Sequence, residues 1–367
     1  MEDLAYGTRN KRGDWKPNGK IQFAPVLDWP FRPLRFIKWL VSADGFFLPW
    51  NATFALIAFL MWCFLTPAVE STQHFSIGWI VYLFIRNALI VLAFYGAWHI
   101  RLYTQKSQGN AFKYDAKWPP KDNSAFLFHD QTVDNLIWTF ASAVPIWTMF
   151  EALMLWAYSN GYTRYVSWSE HPIYCTLLIM ATPFWADFHF YLIHRMIHWR
   201  PLYRDVHSVH HNNVNPGPFS GLAMHPVEHL LYFSSALIYL VVPSNGLHFT
   251  TQLLLKALGP AQTHSGFDKL VVGRDRTIDT HGYAHYLHHK YFECNYADAL
   301  IPLDKWFGTF HDGTPEKQLA MEARLTARAA KWNRTTQGRN GSAPSLGGRP
   351  TATGLPLLPF GDDDGVD

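Results

Sequence analysis

Two five-residue stretches repeat one pattern, HSVHH at 207–211 and HYLHH at 285–289. Imidazole is the commonest side-chain metal ligand, through its neutral ring nitrogens, and positions i, i+3 and i+4 share one face of a helix. His207, His210 and His211 therefore share a face, as do His285, His288 and His289. A third group stands in ADFHFYLIHRMIHW, where Asp187, Tyr191, His194 and His198 lie along one stripe at steps of four, three and four. His189 falls about 140° from His194 by the 3.6-residue period and reads as a packing or supporting residue. Of 19 histidines, 14 lie between 189 and 289, a concentration that asks for a metal. His225, His229, His264 and His281 are intermediate candidates, and the remaining isolated histidines read as structural.

The elements that position these residues divide the chain sharply. Mean hydropathy is −0.08, yet uncharged stretches at 45–69, 71–85, 87–100 and 171–186 alternate with polar segments. Four membrane helices are expected, at 46–69, 75–98, 134–157 and from 172 to 198, the last roughly 40 Å long at 1.5 Å per residue. Arg86 and Glu151 fall inside two of them, and Arg86 reads as an ion-pair partner or part of the site's floor. The shorter apolar stretches 230–242 and 246–258, divided by Pro243 and Gly246, read as a re-entrant or interfacial pair. A short amphipathic helix is expected at 315–332, followed by a disordered Gly/Pro/Ser-rich tail. Eight Lys and Arg precede the first span, none occupy the 70–75 loop, five lie in 99–133, and Arg164 alone is in the next loop. The positive-inside bias then places both termini and the histidine-rich region in the cytosol. The opening MEDLAYGTRNKRGDW lacks a secretory signal, so the first span is expected to remain in the mature protein. The domain reading is a cytosolic segment at 1–44, helices and loops at 45–170, a catalytic region at 171–313, and a short helix with tail at 314–367.

HRMIH (194–198), HSVHH, THSGFD (263–268) and HYLHH resemble the histidine boxes of the fatty acid hydroxylase and sterol desaturase superfamily of membrane di-iron enzymes. The resemblance covers about 170–313, with HPVE (225–228) and LDKWFGT (303–309). YFECNYAD (291–298) is most similar to the sterol desaturase branch, although Ala297 stands where that branch usually has Gly. No heme-binding His-Pro-Gly-Gly motif is present. The resemblance implies an all-α membrane protein with four spans and a cytosolic cap holding two irons. His194, His198, His207, His210, His211, His264, His285, His288 and His289 carry over as ligands, with His225 as a further candidate and His189 and His229 left open. An all-imidazole site gives two irons little ligand charge, so Asp187 and Asp268 are candidates to orient imidazoles through their second nitrogen, and Tyr191 is a third candidate catalytic residue. Dioxygen is the implied co-substrate and a membrane lipid the implied substrate, to be hydroxylated or desaturated.

Other classes are narrowed by composition. A net charge of +3, spread along the chain, gives no case for nucleic acid. Cys63, Cys175 and Cys294 form no CxxC pair, which removes a disulfide framework and a cysteine zinc site. No Gly-rich dinucleotide loop is present, so electrons are expected from a separate ferredoxin or cytochrome with its reductase. HPVEH (225–229) also matches the inverted zinc-peptidase motif, with His225 and His229 as ligands and Glu228 as base. A non-catalytic metal transporter or histidine-rich binding protein is a further alternative.

Overall fold

The computed structural model describes residues 3–274 and 276–337, so the tail read as disordered lies outside the described residues. Strands β1 (Gly7–Arg9) and β2 (Trp15–Pro17) pair antiparallel with Gly7 opposite Pro17. Trp15 buries its ring against Phe112 and Tyr114, which pins this hairpin to the 105–118 loop. Helix α1 (Pro33–Val41) follows. Leu34, Ile37 and Val41 make an exposed apolar stripe along it, at steps of three and four that put them on one side.

Four helices are long and apolar enough to cross a membrane: α2 (Phe47–Phe64), α3 (Ile77–Thr104), α4 (Gln131–Ser159) and α5 (Pro172–Ile197). Leu56, Phe59, Leu89, Leu92 and Leu177 point outward from them, as expected of helices whose surroundings are apolar on the outside too. Asp130 caps α4 by accepting from Thr132 and Val133 N–H. Arg86 of α3 and Glu151 of α4 meet: Arg86 donates to Glu151 at 2.5 Å and to Leu65 O at 2.8 Å, while Asn87 bridges Glu151 and Thr148. Arg86 is thus a structural ion-pair partner joining α3 to α4.

The stretch expected to be re-entrant or interfacial folds as α6 (Pro226–Phe233), a 3₁₀ run Ser234–Leu240, and α7 (Gly246–Thr263). α7 sits in the middle of the helices, packed on α2, α3, α4 and α5, with 14 of its 18 residues buried. It is therefore a core helix and not an interfacial one. Asn245 and His248 close its N-terminus reciprocally, Asn245 Oδ1 accepting from Leu247 N–H and His248 Nδ1 accepting from Asn245 N–H. Gly246 lets α7 approach α2, because a Cβ there would stand 1.8 Å from the Trp62 ring. Gly246→Ala is expected to lower stability by about 1–3 kcal/mol through overpacking, read as a lower melting temperature in detergent.

Beyond α7, β3 (Lys269–Val271) pairs antiparallel with β4 (Thr277–Asp279). Helix α8 (Tyr283–Tyr291) and helix α9 (Pro315–Gln337) complete the described chain. α9 covers the helix expected at 315–332 and runs five residues further.

Candidate metal centre

The second half of the chain brings nine histidines together in two buried groups. His194, His198, His207, His211 and His288 form one, and His210, His264, His285 and His289 the other, with ligand atoms in each group within 4.8 Å of one another. His194 and His198 come from the end of α5, His207, His210 and His211 from helical turns at 200–211, His264 from the C-terminal end of α7, and the rest from α8.

Each His-x-x-His-His stretch feeds both groups. His207 and His211 enter the first and His210 the second, whereas His285 and His289 enter the second and His288 the first. Successive helical residues diverge by about 100°. The adjacent pairs His210–His211 and His288–His289 therefore straddle the two groups, and a shared face resolves into two destinations.

Backbone carbonyls set the rings. His194 Nδ1–H donates to Tyr296 O and His288 Nδ1–H to Cys294 O, both at 2.7 Å. His264 donates to Pro260 O at 3.1 Å and His210 to Ala223 O at 3.3 Å. The left-handed Phe292 (φ 65°) ends α8 and turns the chain back, so that Cys294 and Tyr296 lie under the rings. His207 Nδ1–H donates to a carboxylate, Glu228 Oε1, at 2.8 Å. A neutral imidazole carries one N–H, so Nε2 of each of these five presents a lone pair.

Those lone pairs test whether a metal fits. Nε2 of His198, His211 and His288 lie 3.0–3.2 Å apart, and those of His264, His285 and His289 lie 2.9–3.2 Å apart. His210 Nε2 faces His264 Nε2 at 3.3 Å although both rings place their proton on Nδ1. Two lone pairs at that distance repel unless a cation lies between them. Metal–nitrogen bonds of about 2.0–2.1 Å give ligand edges of roughly 2.8–3.4 Å, so the spacing fits. His194 Nε2 and His207 Nε2 are buried without a hydrogen-bond partner. Loss of solvation, reinforced by neighbouring imidazoles, holds His198, His207, His211, His285 and His289 well below the usual imidazole value. Burial also brings His210 down to about 4 and His288 to about 3. The rings are neutral at physiological pH, the form a metal needs.

Other expected residues go elsewhere. His225 lies outside both groups, because the extended residue before Pro226 turns its ring back onto α6, where Nδ1 accepts Val227 N–H at 3.2 Å. His189 bonds Ser234 at 3.2 Å and His229 bonds Ser142 at 2.8 Å. With Glu228 on His207 and His229 on Ser142, the three peptidase-motif side chains do not converge. Asp187 orients no imidazole: it accepts the backbone N–H of Asp298 at 2.8 Å and Ile301 at 2.6 Å. Asp268 accepts the Tyr114 hydroxyl at 3.0 Å, and Tyr191 takes a bond from Arg195 and stacks on Phe307. The acid that does reach a ring is Glu228, whose only mark in the sequence is the HPVEH match. Glu228→Gln is expected to weaken metal binding about 10–100-fold, as loss of outer partners does, with the fold intact; chelator competition on purified protein measures this.

A cavity of about 910 Å³ opens onto both groups, reaching His194, His207, His210, His264 and His285. Its outer wall is the N-terminal segment, including Ile21, Phe23, Trp39 and Phe46, and its inner wall includes Phe190, Tyr232 and Leu255. Residues 21–24 are held there by backbone bonds from Ile21 to Asp312 O and from Ala24 to Leu300 O.

Residues 179–309 match the model of the fatty acid hydroxylase family. The chain is 30% identical over 188 residues to a Delta(7)-sterol-C5(6)-desaturase of Nicotiana tabacum, covering 47% of this chain and 65% of the relative. It is 25% identical to a Delta(7)-sterol 5(6)-desaturase of Candida glabrata (52% of this chain, 53% of the relative) and 27% to one of Saccharomyces cerevisiae (46% and 47%). The chain thus spans about half to two-thirds of these relatives. No solved structure matches it. The histidine-bearing segment that builds both groups is thus similar to the fatty acid hydroxylase family, and the relatives it matches include Delta(7)-sterol 5(6)-desaturases.

Proposed function

We propose that this protein is a membrane-bound di-iron oxygenase that hydroxylates or desaturates a lipid, using dioxygen and electrons from a separate carrier. The observation that carries this reading is the pair of buried histidine groups at the end of a 910 Å³ cavity. His194, His198, His207, His211 and His288 would hold one iron, and His210, His264, His285 and His289 the other. Two bound irons supply the activation of dioxygen and the removal of hydrogen from an unactivated C–H bond.

The chain's own part is positional. Carbonyls of Ala223, Pro260, Cys294 and Tyr296 and the Glu228 carboxylate keep five rings in one tautomer. Phe190 and Tyr232 line the approach with aromatic surface. The activities named for the relatives make a sterol-like lipid the first substrate to test. The catalytic region is 171–313, and the Lys and Arg distribution puts it on the cytosolic side with both termini.

Reconstitution tests the reading. Protein, lipid, oxygen and NADPH should give no product until a reductase and an acidic carrier are added, after which oxygen consumption and product rise together. The rate should fall with salt, since exposed charges of the N-terminal segment and the 99–133 loop are screened within about 8 Å at physiological ionic strength. Turnover with NADPH alone, or full activity with zinc in place of iron, overturns it.

A further inference from the structure

Lys256 is an ammonium on a core helix, with 4% of its surface exposed. Its Nζ donates to Ala186 O at 2.8 Å and lies over the rings of Tyr232 at 4.7 Å and Phe190 at 5.0 Å. An ammonium has three donors. Among the described residues Ala186 O is the one hydrogen-bond acceptor for Nζ, and no ion pair within 4.0 Å engages it. Lys256, Asp187 and Asp298 all line the cavity.

The two acids differ. Both oxygens of Asp187 are taken by backbone N–H groups. Asp298 presents accessible surface, and among the described residues its carboxylate accepts no hydrogen bond. Burial brings Lys256 down to about 8, against the opposing pull of Asp298 and Asp187, so it is still an ammonium at neutral pH. One wall of the cavity thus carries an open donor and an open acceptor within electrostatic reach of each other.

We propose that Lys256 and Asp298 form a binding site for the hydroxyl of an alcohol lipid, with Nζ donating to the hydroxyl oxygen and the Asp298 carboxylate accepting the hydroxyl hydrogen. The assignment rests on the cavity being the lipid site. A hydroxyl both gives and takes a bond, as this pair requires, whereas an ionised carboxylate head has no proton to offer Asp298. Nζ is 5.0 Å from the Phe190 centroid and that ring is 4.7 Å from the His194 ring, so the ammonium lies under 10 Å from one ring of the first histidine group.

The test is equilibrium binding to the purified full chain in detergent, without turnover. Radiolabelled 1-octadecanol is competed with methyl octadecyl ether and stearate, and cholesterol with its methyl ether, so that head chemistry and ring are separated. The alcohols should bind about tenfold or more tightly than the ethers and stearate, the scale of a hydrogen bond to a charged group. Lys256→Met should remove that preference while remaining monodisperse on gel filtration. If Lys256→Met does not fold, Asp298→Ala, at the cavity surface, should remove it and decides the matter. No binding of either alcohol, stearate binding as well as octadecanol, or the preference surviving in the variant overturns the site. Iron content and donor-dependent oxygen consumption of the wild-type chain test the oxygenase reading separately.

Discussion

His198→Ala, His210→Ala and His288→Ala are each expected to abolish turnover, by at least about 1,000-fold, well beyond the 10–100-fold of outer partners. All three rings are buried, and each Nε2 faces at least one other ring's Nε2 at 3.3 Å or less. Removing one opens a cage whose remaining lone pairs face each other with a weakened or missing cation. His171→Ala is the control: His171 is exposed at the start of α5 and its side chain caps nothing. Metal per chain measured by mass spectrometry should fall with activity in the three variants and stay at two in His171→Ala. Wild-type activity in His210→Ala would remove that ring from the machinery.

Glu151→Ala leaves Arg86 charged and unpaired inside the spans, and the expected cost is about 3–5 kcal/mol, the usual penalty for breaking a buried pair. The three other partners of Arg86, at Leu65, Thr66 and Asn87, are neutral and do not replace a carboxylate. The single variant should give little monodisperse protein and a much lower melting temperature. The double variant Arg86→Met with Glu151→Leu should recover most of both, because an apolar pair of similar volume removes both charges. If Glu151→Ala melts like the wild type, the pair does not hold α3 to α4.

The four long helices were legible because a run of apolar residues long enough for a bilayer has few other readings. Expected spans at 75–98 and 134–157 correspond to Ile77–Thr104 and Gln131–Ser159. α7 was not, since a core helix and an interfacial one share the same short apolar composition, and only its neighbours on four sides distinguish them. Within the site, side-chain type and spacing bring out eight of the nine histidines that converge, and His264 enters through the family resemblance. Spacing could not separate His225 from them, because Pro226 fixes the direction of its ring. The carbonyls of Tyr296, Cys294, Pro260 and Ala223 have no mark in a sequence, every residue having one. Asp187 was placed on the right stripe and serves the 298–301 loop instead of a ring.

The exchange of histidines between the groups makes the two centres interlocked and not modular. Each His-x-x-His-His turn is a clamp shared by both, with its i and i+4 rings on one side and its i+3 ring on the other. Deleting one residue inside HYLHH keeps every histidine, yet rotates those before the deletion by about 100° relative to those after it. Both centres would then be lost together. Register inside these five residues is as much a part of the ligand set as the imidazoles themselves, and the chain has no route to a one-metal form by loss of either stretch.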